Sequence, residues 1–387
     1  MSNSKWSKHN IIKLIEEGQA DKRFECMPPE LKSILNEREA LPKAITWMES
    51  NIDVCAYEDE KSDGVMTWEN VGLIFFNKQR FFEAIIVFQK LYEHICEAEL
   101  RTGNWIHKGM PLVWIRDCHK ILGHRWLNER YLILTLIEDA IREKGNITLG
   151  KGGIYHRFCW EEGHSHEDFE RLAEKSYEIY RSNRKMGIFP EFILLKLGID
   201  YSRCSATIYE ADNYEVNKIF ANYLLKEVEE YGADKSGEML EIFASYILGC
   251  IPGFQVEKQK KTKEYHFDGF IRSRGDYLDF RSDLGLYILV ECKDWNKPIG
   301  PEEIGYFAHK LSTHDCRAGI IFSKSGITGK YSDKEPRFGV LTILKSYHHL
   351  GKIIMILDLN DFRKAANGEN LIKILRDKYE DVRFDLP

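Results

Sequence analysis

At 387 residues, with 43% hydrophobic and 30% charged positions, the chain has room for two or three globular domains with a substantial core. No run of 18 apolar residues occurs and the first residues lack an apolar signal core, which argues against a membrane span and predicts a cytoplasmic protein. Nine scattered cysteines without paired spacing fit reduced thiols. The net charge of -6 divides into about -7 before Gly237 and about +1 from there on, which excludes a broadly basic nucleic-acid binder.

In chain order, Pro28-Pro29-Glu30 marks a helix start with proline in the first turn. Leu31 to Met48 reads as one or two short helices broken at Leu41-Pro42, and residues 59–66 as a turn around Asp63-Gly64. From Trp68 the apolar spacing predicts two amphipathic helices, Val71 to Phe76 and Phe81 to Leu91, the second running on through Cys96 towards Leu100. Gly72, Phe75, Phe81, Ala84 and Phe88 fall roughly where a tetratricopeptide repeat uses small or apolar knobs, and residues 68–145 resemble that repeat. A second unit would span Leu112 to Leu122 and Asn128 to Ile141, with Gly123-His124 at its turn. The resemblance implies a surface for a peptide, a partner protein or another copy. The alternative is a generic helical bundle with the same spacing.

Residues 146–236 read as a helical connecting region packed on the domain that follows. Gly145, Gly150, Gly152 and Gly153 surround Lys151 but lack the Gly-Lys-Ser/Thr ending, so they read as a turn or hinge rather than a phosphate loop. His156, Cys159, His164 and His166 are zinc-binding types, yet their spacing matches no standard ligand set. They read as polar residues before a helix that runs from His166 to about Asn183. Glu215 to Tyr231 is strongly amphipathic, with Ile219, Phe220, Tyr223, Leu224 and Val228 on one face, and Gly232 to Gly237 reads as the junction into the last domain.

From 237 on, the predicted order is helix, three strands, then helix, strand, helix, strand and helix. The organising stretch is 266–293. It opens with His266-Phe267-Asp268-Gly269 and closes with an apolar run into Glu291-Cys292-Lys293. Alternation along a strand puts Glu291 and Lys293 on one face and Cys292 on the other. A hairpin would bring Asp268 alongside. Two carboxylates on neighbouring strands can share a hard divalent cation, and a lysine beside them can orient a water or stabilise developing charge. An edge-strand ion pair is the alternative reading of the Glu-x-Lys triplet.

With these residues, the segment from about 237 to 361 resembles the PD-(D/E)xK nuclease superfamily, and most closely its Mrr-like, type IV restriction branch. Phe267-Asp268-Gly269 corresponds to the first metal carboxylate and Glu291-Cys292-Lys293 to the second carboxylate and lysine. Pro298 to Ile304 followed by Phe307 corresponds to the next helix and its entry, and Gly319 to Gly326 to the following strand and turn. The branch often carries glutamine at the Glu291 position. The gap from Asp268 to Glu291 is long and holds Asp276, Asp279 and Asp283, of which Asp279 is a rival metal ligand.

The resemblance implies an α+β multidomain chain. An all-helical, repeat-like N-terminal adaptor or sensor (1–145) and a connecting region (146–236) would precede a restriction-endonuclease-like domain (237–387) with a mixed central sheet. It implies a Mg2+-dependent endonuclease acting on DNA in defence against foreign DNA, with Mn2+ able to substitute. Asp268, Glu291 and the backbone carbonyl of Cys292 would hold the metal, Lys293 would act on the water, and Glu241 would support the metal shell. Substrate contacts are expected at His266, Ser323, Lys324, Ser325 and Lys330. A homodimer would let two sites cut both strands of a duplex, and the N-terminal helices would take a protein partner or self-associate. Two other readings stay open: an interaction module whose nuclease-like domain does not cut, and an RNA-cutting toxin.

Overall fold

The computed structural model describes residues 27–52, 63–145, 153–199, 201, 204–230, 233–258, 268–275, 279–328 and 340–384. The chain divides into two compact units, Met1–Leu197 and Gly198–Pro387.

The described part of the first unit is helical. Its longer helices are α1 (Pro29–Leu35), α2 (Ala40–Asn51), α3 (Asp63–Asn77), α4 (Phe81–Thr102), α5 (Gly109–Leu122), α6 (Arg125–Arg142), α7 (His166–Ser182) and α8 (Pro190–Leu197). From α3 to α7 each helix packs on the next in sequence. The expected break at Leu41-Pro42 lies instead at residues 36–39, because Pro42 sits in the first turn of α2. There its missing N–H would have had no partner in any case. Asp63-Gly64 likewise begins α3 and does not form a turn. Gly72 has no side chain where the Phe88 ring of α4 approaches its Cα: a Cβ there would lie 2.5 Å from the ring. Phe75, Ala84 and Phe88 are buried, as the apolar spacing predicted. One π-helical turn, His156–Glu161, and the helix α8 had no counterpart in the sequence reading.

The second unit starts with α9 (Lys218–Glu230) and α10 (Ala233–Gly249), which pack together. Residues 233–237, expected as a junction, are the first turn of α10. The sheet follows: β1 (Phe254–Lys258), β2 (Gly269–Ser273), β3 (Tyr287–Lys293), β4 (Ala318–Ser323) and β5 (Ile353–Asp358). Its order is β1-β2-β3-β4-β5, antiparallel across the first three strands and parallel from β3 to β5. This is the expected mixed sheet. Helix α11 (Pro301–Thr313) makes the β3–β4 crossover, α12 (Val340–His349) the next one, and α13 (Leu359–Ala366) and α14 (Leu371–Phe384) close the unit.

Leu289 of β3, Ile321 of β4 and Ile354 of β5 form one core with Ile304, Phe307 and Leu311 of α11. Gly319 matters here, since a Cβ on it would lie 2.4 Å from the Phe307 ring. β4 is buried along its whole length, which is why it reads as an unbroken apolar run rather than an alternating one.

Candidate active site on the central strand

The register places the first carboxylate. Gly269 of β2 is opposite Val290 of β3, and Asp268, the residue before β2, lies near enough to Glu291 for the two like charges to repel. Asp268 is held there by a bond from the Cys292 N–H to its Oδ2, 2.6 Å long. Its pKa is raised, chiefly because the carboxyl is buried and also because Glu291 is near. The Cys292 N–H, Lys293 and Lys310 pull the other way.

Glu291 is nearly buried and meets two ammonium groups. Lys293 Nζ donates to its Oε1 at 2.7 Å. Lys310 Nζ, from α11, reaches both oxygens, at 3.1 and 2.8 Å. Lys293 is two residues along the same strand and on the same face, as alternation requires. Lys310 was not foreseen. It sits in the apolar stripe of α11, and the signal available in the sequence was its spacing of three and seven from Phe307 and Glu303 on one helix face.

Cys292 faces away from Glu291. Burial holds its thiol well above the ordinary range, and Asp268, Glu241 and Glu291 add to the effect. That influence is what ties Glu241 of α10 to the neighbourhood of the two carboxylates. A thiol with so raised a pKa is a poor nucleophile.

Asp279, the rival ligand, is turned to arginines. Arg281 contacts it through its backbone N–H and its Nε at 3.0 to 3.1 Å, and Arg376 Nη2 lies 3.4 Å away. Arg281 itself is buried and donates to the Ala211 carbonyl, so Asp279 anchors that guanidinium. Asp283 accepts from the Tyr379 hydroxyl.

The loop after β4 is held from within. Ser323 donates to the Gly326 carbonyl and Ser325 to the Trp295 carbonyl. Lys324 donates to the Val228 carbonyl at 2.8 Å and lies 3.7 Å from Asp294, whose pKa burial raises. His266, Lys330 and Asp276 lie outside the described residues.

A cavity of about 350 Å3 opens beside Glu291 and Lys293. Trp295 and Tyr306 line it and were also missed in the sequence, where each passes for an ordinary core or surface aromatic. In the helical unit, the His156, Cys159, His164 and His166 side chains diverge. His156 faces Glu161, His164 bonds Glu129, His166 pairs with Glu170, and Cys159 meets the Ser165 carbonyl. Among the described residues, no group of three or more His, Cys, Asp or Glu side chains is arranged to hold a metal ion.

A helical region followed by a mixed α/β domain with a five-stranded mixed sheet is the restriction-endonuclease type of fold. Residues 236–335 match the restriction endonuclease family Mrr_cat, a span that holds α11, β1 to β4 and both carboxylates. The match does not extend over residues 68–145, and nothing in it supports a tetratricopeptide repeat there. No curated protein and no solved structure matches the chain. Among the described residues, no helix is long and apolar enough to cross a membrane.

Proposed function

We propose that the sheet-bearing unit is a metal-dependent nuclease that hydrolyses phosphodiester bonds of DNA, in the manner of the restriction family it matches. The observation that carries this reading is that Asp268, bonded to the Cys292 N–H, lies beside Glu291, with Lys293 bonded to Glu291 inside the matched segment. Two hard carboxylates and the Cys292 carbonyl fit Mg2+, which keeps several waters and needs few protein ligands. Mn2+ has the same preference for oxygen donors. When bound, such an ion supplies a water of lowered pKa and neutralises charge on a phosphate oxygen.

The chain's own residues do the rest. Asp268, with its Oδ2 fixed by the Cys292 N–H, and Glu291 would hold the ion. Lys293, as an ammonium, orients the attacking water and stabilises the charge that develops. Lys310 fixes the Glu291 carboxylate from the helix side. Glu241 supports the metal shell from α10. Asp279 stays with its arginines and is not needed as a ligand. Ser323 and Ser325 shape the loop beside the cleft, and contact between Lys324 and a phosphate requires that it leave the Val228 carbonyl. Defence against foreign DNA and dimerisation for double-strand cutting belong to the same proposal. So do domain limits at 145/146 and 236/237 and a partner-binding role for the N-terminal helices.

One observation favours a second reading, a nuclease-like domain that binds without cutting: both Glu291 oxygens are already engaged by ammonium groups. The test is cleavage of methylated plasmid, unmethylated plasmid and total RNA by the purified chain, with magnesium or EDTA. We expect DNA cleavage that needs magnesium and falls at least a hundredfold in Asp268→Ala and Lys293→Ala. Cutting by Asp268→Ala at the wild-type rate, with loss in Asp279→Ala, overturns the ligand assignment. Cleavage of RNA alone moves the reading to a ribonuclease, and no magnesium-dependent cleavage of either favours the binding module.

A further inference from the structure

The cavity beside Glu291 and Lys293 offers a phosphate that one ammonium against three carboxylates, those of Glu291, Glu302 and Glu303. Trp295, Ile299 and the ring of Tyr306 give it a mainly apolar and aromatic lining. Its rim carries Glu302 and Glu303. Glu303 is held ionised, its pKa lowered by its own backbone N–H and that of Gly300. A sugar-phosphate chain would meet repulsion there. A flat, uncharged ring with N–H groups at its edge would stack on the aromatics and donate to the carboxylates.

Two lysines mark where the phosphates would go instead. Lys293 Nζ lies 4.8 Å and Lys297 Nζ 5.1 Å from the Trp295 ring centroid. Both ammonium groups thus rest on the Trp295 ring, and a base reaches it where the exposed Lys297 swings aside to a phosphate. The ring is positioned by its backbone, whose carbonyl accepts from Ser325 at 2.6 Å, and by packing against the apolar core. Tyr306 carries the Lys310 ammonium over its ring at 4.9 Å, and its 53% exposure leaves the rest of the ring for a partner. The volume lies at the small end of ligand pockets.

Resting on the nuclease reading of the same cleft, we infer that this cavity is a nucleobase subsite. It takes the base of the nucleotide beside the scissile phosphate, turned out of its stack onto Trp295 and Tyr306. Bases with an exocyclic amine (adenine, cytosine, guanine) suit the carboxylate rim. A base inside an intact duplex cannot enter, so the site favours single strands and duplexes with an unpaired or mismatched base, where unstacking costs least.

The test is binding of the full chain, in EDTA, to a labelled single-stranded oligonucleotide and to the same strand built of abasic nucleotides, followed by fluorescence anisotropy. Aromatic stacking of about 1–3 kcal/mol per base predicts that wild type prefers the base-bearing strand by about 5- to 150-fold. Tyr306→Ala and Trp295→Ala should bring that preference towards one, with a smaller loss of affinity for the abasic strand. Trp295→Phe, which keeps a ring and the packing, should restore most of it. A wild-type preference near one, or a preference that survives both alanine variants, overturns the subsite. Cleavage is scored separately. Ring-dependent binding without magnesium-dependent cutting keeps the subsite and refutes the nuclease. Asp268-dependent cutting with ring-independent binding keeps the nuclease and refutes the subsite. Absence of any oligonucleotide binding refutes the subsite.

Discussion

Each unit buries a lysine among carboxylates, and the two arrangements differ in a way that separates scaffold from site. In the helical unit Lys108 is fully buried, as are Glu99 and Glu138. Its Nζ donates to both Glu99 oxygens at 2.7 Å and to the Ile106 carbonyl, and lies 3.3 Å from Glu138. Glu99 also accepts from the Ile106 N–H, and Glu138 from that of Lys108. The network closes on itself and ties α4, α6 and the connecting segment together. In the sheet unit Lys310 is also buried, but Glu291, which it holds, lines an open cavity together with Lys293, and Asp268 lies close by. A buried ion pair alone therefore says nothing about chemistry. What marks the second cluster is access from solvent and a second ammonium on the same carboxylate.

The comparison breaks first if Lys108 is not structural. Lys108→Ala should destabilise the helical unit by about 3–5 kcal/mol, because two buried carboxylates lose their counter-ion. Urea unfolding followed by helical signal would show it, and a change below 1 kcal/mol would mean that the network is wetter than its burial indicates.

A smaller effect comes from pH. Burial, with Glu138 nearby, raises the Glu99 pKa from 4.5 to about 7, against the pull of Lys108. A carboxyl with a raised folded pKa binds more protons folded than unfolded between those two values. Stability from this group is therefore complete below about pH 4.5 and lost as pH rises towards 7, by about 3 kcal/mol in all. Thermal unfolding across pH 4.5 to 8 should show this decline in wild type and a flatter profile in Glu99→Gln. Equal slopes would place the titrating group elsewhere.

The sheet was legible in the sequence because its signals are local. β3 and β4 are apolar runs between turn residues, and α11 opens with proline at its first position. The carboxylate pair was legible because strand alternation and one hairpin are enough to place it. Lys310, Trp295 and Tyr306 were not, because each joins the site only through tertiary packing of α11 and the segment before it on β3. The same limit hid the first turn of α10. Ser236 and Gly237 are weak helix formers, and packing against α9 overrides that preference. The internal bonds of the loop serines, expected as substrate contacts, were not legible either. Only the fold shows them bonded to the carbonyls of Gly326 and Trp295.

The finest discrimination concerns Lys310 itself, which could serve Glu291 in two ways. Its ammonium occupies both carboxylate oxygens, so on the nuclease reading it competes with magnesium for the same atoms while holding them in place. If competition dominates, Lys310→Met should lower the half-saturating magnesium concentration for cleavage by about tenfold, or roughly 1.4 kcal/mol. That is well under the unscreened attraction of a unit charge at this distance, because water and Lys293 would refill part of the field. Methionine keeps the stem's packing on α11, so the fold should hold. Magnesium titration of cleavage, beside wild type, gives the answer. A half-saturating concentration that rises instead would mean that Lys310 presents Glu291 to the metal rather than guarding it, and the lysine would then count as part of the ligand's positioning.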